Sequence, residues 1–282
     1  MSSKDARVLL RGAGLSPKKS FGQNFLVSDG VIRAIAEACV HDSEIGRARV
    51  VELGAGLGAL TAHLLVRANH VIAVERDRDL VPILQSEFAT QIAEGKLTVI
   101  EGDAQSVDLA GFLGNEAPRV LCGNLPYQIT GSLIERAVSA AESYERAIFM
   151  VQEEVAERIA ALPGSKIYGA LSVFVQAACT ARKVRSVGAG NFHPAPEVTS
   201  AVIELVPRRP RISEEDAVFR NVVKGAFGSR RKTLRNAWQS LGLTKEALEA
   251  VAAAANVSLD ARGETLSVED FARVAARLRS GV

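Results

Sequence analysis

Between residues 50 and 150 the chain repeats one pattern: a short apolar run, a break of glycine or polar residues, then apolar positions at helical spacing. Val50-Val51-Glu52-Leu53 is such a run and it ends in glycines. A helix is expected over 58–67, with Leu60, Leu64 and Leu65 on one face. The next strand is expected over 70–75. Asp77 is placed to cap the helix after it, whose apolar face is Leu80, Ile83, Leu84 and Phe88. Strands follow over 97–101, 119–123 and 146–151, with a helix over 129–140 before the last of them. Strands alternating with helices predict a parallel sheet covered on both faces.

Past residue 150 the pattern changes. A helix is expected over 152–161, stopped by Leu162-Pro163-Gly164, and a buried helix over 170–180. The stretches 183–187 and 198–206 read as late strands, an antiparallel pair. Pro207-Arg208-Arg209-Pro210-Arg211 breaks the pattern and marks a domain boundary. Only helical spacing follows, over 214–226, 231–241, 245–254 and 268–278. The expected fold is therefore α/β, with a mixed, mostly parallel sheet over 1–207 and a small all-helical domain over 208–282.

The 282 residues, 48% of them hydrophobic, suffice for an α/β core and a smaller second domain. No apolar run is long enough to span a membrane. The first twenty residues are basic but lack the apolar stretch of a secretory signal; a transit segment is the alternative. Cys39, Cys122 and Cys179 are odd in number and far apart, which argues against a disulfide framework or a zinc site and fits a reducing, cytoplasmic setting. The histidines have no metal-ligand spacing, so no metal is expected. The net charge of +2 is uneven: residues 208–282 carry 14 Lys/Arg against 9 Asp/Glu, whereas residues 1–207 carry 20 against 23. A basic helical domain points to a polyanionic partner.

The turn Glu52-Leu53-Gly54-Ala55-Gly56-Leu57-Gly58 reads G-x-G-x-G, not the G-x-G-x-x-G of a dinucleotide site. The ligand expected there is a nucleoside with no pyrophosphate to place. Glu75, 21 residues after Gly54, can accept ribose hydroxyls, and Asp103 can accept from an adenine amine. Taken singly, these are also a tight turn, a strand-end charge and a helix cap. Together they fall at the carboxyl ends of successive strands, where open α/β sheets bind ligands.

Gly123-Asn124-Leu125-Pro126-Tyr127 follows the fourth strand. An exocyclic adenine amine is a poor nucleophile, because its lone pair is delocalised into the ring. Two acceptors aimed at its N–H groups hold the nitrogen near tetrahedral geometry and stabilise the charge that develops on it. Asn124 offers a side-chain carbonyl. Leu125 precedes Pro126 and is biased to extended geometry, which can aim its backbone carbonyl at the same point. Tyr127 offers a stacking face for an extruded base. A proline turn over a buried tyrosine is the structural alternative.

These segments, with Phe21-Gly22-Gln23-Asn24-Phe25-Leu26, Val74-Glu75-Arg76-Asp77, Gly102-Asp103-Ala104, the stretch from Phe192 to Val202 and that from Phe227 to Asn236, resemble the rRNA adenine N6-dimethyltransferase family, and most of all its bacterial small-subunit branch. The resemblance runs from about residue 18 to 243. It implies a Rossmann-like domain using S-adenosyl-L-methionine, with an N-terminal lid carrying Asn24 and Leu26. It places Gly54, Glu75, Asp103 and Asn124 around the cofactor, and Asn124, Leu125, Pro126 and Tyr127 at the target base. It also implies that Phe192 stacks on the adenine opposite Tyr127; residue chemistry alone reads Phe192 as a core aromatic. The implied substrate is two adjacent adenosines in the 3′-terminal hairpin loop of 16S rRNA, in the small ribosomal subunit precursor, each dimethylated by a monomeric enzyme.

Arg220, Lys224, Arg230, Arg231, Lys232 and Arg235 form a stretch without an acidic residue, suited to phosphate contacts. A solvated helix face accounts for the same residues, and the resemblance favours RNA. Two alternatives remain open at the level of sequence. One is a 23S rRNA adenine methyltransferase of the antibiotic-resistance type, sharing every catalytic residue. The other is a non-catalytic nucleic-acid-binding factor on the same fold.

Overall fold

The computed structural model describes residues 5–116, 118–229 and 231–281. The chain forms two compact units, Met1–Ala156 with Arg182–Val206, and Glu157–Ala181 with Pro207–Val282.

The first unit is built on nine strands: β1 (Phe25–Leu26), β2 (Arg49–Leu53), β3 (His70–Glu75), β4 (Leu97–Glu101), β5 (Arg119–Asn124), β6 (Arg146–Gln152), β7 (Cys179–Val187), β8 (Phe192–His193) and β9 (Ser200–Pro207). Seven form one sheet in the order β4-β3-β2-β5-β6-β9-β7, and β1 pairs with β8 in a small antiparallel ribbon. The pairings β2–β3, β3–β4, β2–β5 and β5–β6 are parallel, and β9 runs antiparallel to β6. The central strands are apolar on both faces because helices cover both; Val50, Val71, Ala73, Val120, Cys122, Ile148 and Met150 share one core. The chain steps outward from β2 through β3 to β4, then returns to the other side of β2 with β5 and β6. The crevice between the carboxyl ends of β2 and β5 is thus a topological switch point, where such sheets bind ligands.

Most expected elements lie within a few residues of their predicted bounds. Helix Asp29–Cys39 is an exception: no element was expected there, although Val31, Ile32, Ile35, Ala36 and Cys39 recur at helical spacing and are buried. The expected helix over 170–180 ends at Ala178, where β7 begins. Helix Val81–Glu87 has Leu80 at its N-cap position; Asp77 instead holds the turn just before it, its Oδ1 accepting from the Asp79 N–H at 3.1 Å, and its carboxylate has further partners described below.

The second unit is helical. Helix Ala217–Phe227 packs with Val268–Ser280, and Trp238 is fully buried with its indole N–H donating to the Val222 carbonyl at 2.9 Å. The stretch expected as one helix over 231–241 is a turn, the short helix Leu234–Ala237 and a 3₁₀ turn Trp238–Leu241. Segment 157–181, read from sequence as part of the first domain, groups with this unit. Its helix Ala170–Ala178 is apolar on nearly every side and places Val173, Phe174 and Ala177 in a core with Phe219, Val222 and Phe271.

Candidate active site

A cavity opens at the carboxyl ends of β2, β3, β4 and β5. Its wall includes Gly54, Glu75, Asp103 and Asn124 from the sheet side and Ser20 to Leu26 from the N-terminal segment. Two glycines shape it for different reasons. Gly54 sits at φ +74°, a left-handed conformation that L side chains adopt only with strain. Gly123 has ordinary dihedrals, but a Cβ there would meet the Leu53 carbonyl oxygen at 2.3 Å. The second glycine lets β5 approach β2 closely at the switch point.

Glu75 is 8% exposed, and both its oxygens accept backbone N–H bonds, Oε2 from Gly56 and Oε1 from Asp77, each at 2.7 Å. Burial pushes its carboxyl above the usual range, and the N–H bonds from Asp77, Gly56 and Arg76 pull against that shift. Each oxygen keeps a further lone pair, so the carboxylate is oriented by its own turn and can still accept from a ligand. Asp103 accepts from the Gln105 N–H at 2.9 Å through Oδ1, and its Oδ2 lies 3.4 Å from the Arg76 guanidinium. It therefore organises its own turn while facing the cavity.

The turn that follows β5 is fixed at several points. The Asn124 side chain donates from Nδ2 to the Asn24 backbone carbonyl at 2.9 Å. A carbonyl can only accept, so the amide's orientation is set and Oδ1 is left as an acceptor. The Leu125 N–H donates to the Met150 carbonyl at 3.0 Å, while the Leu125 carbonyl has no partner among the described residues. The Pro126 carbonyl accepts from the Ile129 N–H at 3.1 Å and the Thr130 hydroxyl at 3.0 Å, which holds the turn against the following helix. Tyr127 is half-buried on the cavity wall, its hydroxyl 2.6 Å from that of fully buried Ser200. Two adjacent residues thus present two acceptors beside an aromatic ring.

Leu26 lines the cavity from β1. Phe192, its partner across the β1–β8 ribbon, does not: it is 5% exposed and packs in the core with Leu26 and Ile35. In this structure Phe192 is the core aromatic that residue chemistry alone predicts.

The basic stretch divides. Arg230 lies outside the described residues. Lys224, Arg231 and Lys232 are exposed, with no acidic partner among the described residues. Arg220 pairs with Glu215 and lies 5.7 Å over the Phe174 ring. Arg235 pairs with Glu249 at 2.7 Å and lies 3.7 Å from Asp260. Ion pairs thus occupy Arg220 and Arg235, whereas Lys224, Arg231 and Lys232 have none among the described residues.

Four polar residues have partners at the site that sequence reasoning did not give them. Glu52, on the cavity wall and 2% exposed, accepts from the Thr61 hydroxyl at 2.6 Å. Lys18 and Gln23 both bond to Asp77. Ser200 holds Tyr127. Glu52 was visible as a carboxylate inside an apolar strand, but nothing in the sequence pairs positions 18 and 23 with 77. Among the described residues no cluster of His, Cys, Asp or Glu could hold a metal ion, and no helix is long and apolar enough to cross a membrane.

Comparison with known proteins bears on this geometry. The family model described as ribosomal RNA adenine dimethylase matches residues 14–279. A protein named ribosomal RNA small subunit methyltransferase A from Anaeromyxobacter sp. (strain K) is 43% identical over 277 residues, covering 94% of this chain and 95% of the relative. The protein of the same name from Geobacter sulfurreducens is 39% identical over 269 residues, covering 93% and 95%. Among solved structures, a dimethyladenosine transferase from Plasmodium falciparum superposes with a TM-score of 0.75 at 23% identity, covering 92% of this chain and 98% of that one. The 23S rRNA methyltransferase ErmE superposes with a TM-score of 0.66 at 24% identity, covering 91% and 100%. The two structures establish the shared fold.

Proposed function

Because the chain belongs to the ribosomal RNA adenine dimethylase family, and so is an S-adenosylmethionine-dependent rRNA methyltransferase, we propose that its cavity dimethylates N6 of two adjacent adenosines in the 3′-terminal hairpin loop of 16S rRNA. The relatives at 39–43% identity are named for the small subunit, which favours this substrate over 23S rRNA. The intact Asn124-to-Tyr127 turn favours catalysis over a purely binding role. The enzyme is proposed to act as a cytoplasmic monomer on a small-subunit precursor.

The observation that carries the reading is the pair of acceptors, Asn124 Oδ1 and the Leu125 carbonyl, without partners among the described residues beside Tyr127 on the cavity wall. When bound, S-adenosylmethionine supplies a methyl group on a positively charged sulfur, which leaves as a neutral thioether. Glu75 is suited to its ribose hydroxyls and Asp103 to its adenine amine. Tyr127 stacks the extruded target base, and loop bases are easier to extrude than paired ones. The two acceptors take the N–H bonds of N6 and localise its lone pair for attack on the methyl carbon. They also stabilise the cation that forms, and the nitrogen then releases one proton to solvent water. A monomethylated amine keeps one N–H for an acceptor, so the same pocket serves the second transfer. The stacking role of Phe192 belongs to this proposal and requires its ring to reach the cavity when RNA binds.

The test is to incubate the protein with labelled methyl donor and small subunits that lack these methyl groups, then map the label. Two dimethylated adjacent adenosines near the 3′ end are expected. Label elsewhere in the small-subunit rRNA, or none at all, would overturn the reading.

A further inference from the structure

The N-terminal segment that walls the cavity is anchored at both ends by apolar side chains. Leu10 and Phe25 are buried in one cluster with Leu57 and Leu80. Between them, residues 16–24 contain no buried residue among those whose side chains are described. The hydrophobic effect therefore does little to close this stretch over the cavity, and its position depends on polar bonds.

One of them ties residue 24 to the Asn124 side chain, and the side-chain bonds of Lys18 and Gln23 converge on Asp77, which is 2% exposed. Its Oδ1 accepts from Lys18 Nζ at 2.5 Å and its Oδ2 from Gln23 Nε2 at 2.7 Å. Gln23 Oε1 in turn accepts from the Lys18 backbone N–H at 2.8 Å, which closes a ring of three residues. Lys18 Nζ also reaches Asp79 at 2.6 Å and lies 5.4 Å from the Phe21 ring centre, with Arg76 5.5 Å from the same centre. On its other side Asp77 donates its own N–H to Glu75 Oε1 at 2.7 Å. One residue thus ties the lid to the turn that orients the ribose-binding carboxylate.

We propose that Asp77 is a positioning residue: with Lys18 and Gln23 it forms a latch that holds residues 18–24 over the nucleoside cofactor and sets how tightly the cofactor is retained. The latch acts through lid position and through Glu75, and it does not touch the reacting atoms. The proposal rests on the cavity being the cofactor site, as proposed above. Burial works against the Asp77 charge, but the bonds from Lys18, the Asp79 N–H and Gln23 outweigh it and hold the carboxyl below its ordinary value. The latch is accordingly charged, and fully formed, at neutral pH.

The experiment is calorimetric titration of S-adenosylmethionine and of S-adenosylhomocysteine into the full-length protein, with amide hydrogen exchange on the ligand-free form. Lys18→Ala, a change at a partly exposed side chain, is expected to weaken both ligands about threefold to tenfold and to speed exchange over residues 18–24. Lys18→Arg should restore both. Asp77→Asn should weaken binding at least as much, and Lys18→Ala added to it should cost less than it does in wild type, because the two residues act largely as one unit and only the Lys18–Asp79 pair remains to be lost. Wild-type affinity in Lys18→Ala, or effects of the two changes that simply multiply, would overturn the latch. A wild-type protein that binds neither ligand would overturn the cavity reading and the latch together.

Discussion

Replacing Glu52 with glutamine removes a titration that the fold makes costly. Glu52 sits near the end of β2, in register with Ala73 on β3 and Cys122 on β5, and only 2% of it is exposed. Burial pushes its carboxyl from 4.5 up to about 8; the Thr61 hydroxyl pulls the other way, and the Glu75 charge adds to the rise. In the folded chain the proton is therefore held through neutral pH, while the unfolded chain releases it above about pH 4.5. Between those two values the unfolded state binds fewer protons, so this group's contribution makes stability fall as pH rises; outside them it is flat. Each pH unit inside the window costs up to about 1.4 kcal/mol, and between about pH 5.5 and about pH 8.5 the sum is about 3 kcal/mol. Glutamine keeps an oxygen to accept from Thr61 and has no proton to lose. Urea unfolding of both proteins at the two pH values cancels every other titration in the difference. Wild type should lose about 3 kcal/mol relative to Glu52→Gln on going to the higher pH. A difference unchanged within about 0.5 kcal/mol would refute the assignment of a protonated, buried Glu52.

Glu75→Ala should weaken S-adenosylmethionine binding by about tenfold or more and leave RNA affinity unchanged, as measured by calorimetry and filter binding; an equal loss on both would contradict its placement. Arg231→Ala with Lys232→Ala should weaken RNA binding and flatten the salt slope by about 1.5, whereas Arg220→Ala, already ion-paired with Glu215, should change the slope less. An unchanged slope in the double variant would remove the exposed basic residues from the RNA surface. Phe192→Leu keeps most of the apolar volume and should cost about 1 kcal/mol of stability. It should slow methyl transfer about tenfold if the ring stacks on the target base; unimpaired transfer would leave Phe192 as a core residue only.

The α/β unit was legible because its signals are local. Each buried strand is a short apolar run ending in glycine or a carboxylate, and the cavity residues Gly54, Glu75, Asp103 and Asn124 sit at those endings. What the sequence did not disclose is what depends on distant pairs. The Asp77 carboxylate reads as a helix cap, and only the fold reveals that Lys18 and Gln23 bond to it beside the Asp79 N–H. The membership of segment 157–181 in the helical unit follows from the all-round burial of helix Ala170–Ala178, which carries no sign of which core it joins. Helix Asp29–Cys39 lies among unassigned residues although its apolar spacing was regular. The basic stretch appeared uniform in sequence, but Arg220 pairs with Glu215 just before it and Arg235 with Glu249, which the fold brings to it.

The central claim is that carbonyl oxygens of Asn124 and Leu125 receive the target amine. Its most direct test is single-turnover methyl transfer by Asn124→Ala, with cofactor and RNA affinities measured on the same preparation. RNA binding is expected within about twofold of wild type and the transfer rate at least about a hundredfold lower, the usual cost of losing one preorganised partner of a developing charge. Transfer at the wild-type rate under saturating ligands would contradict the claim.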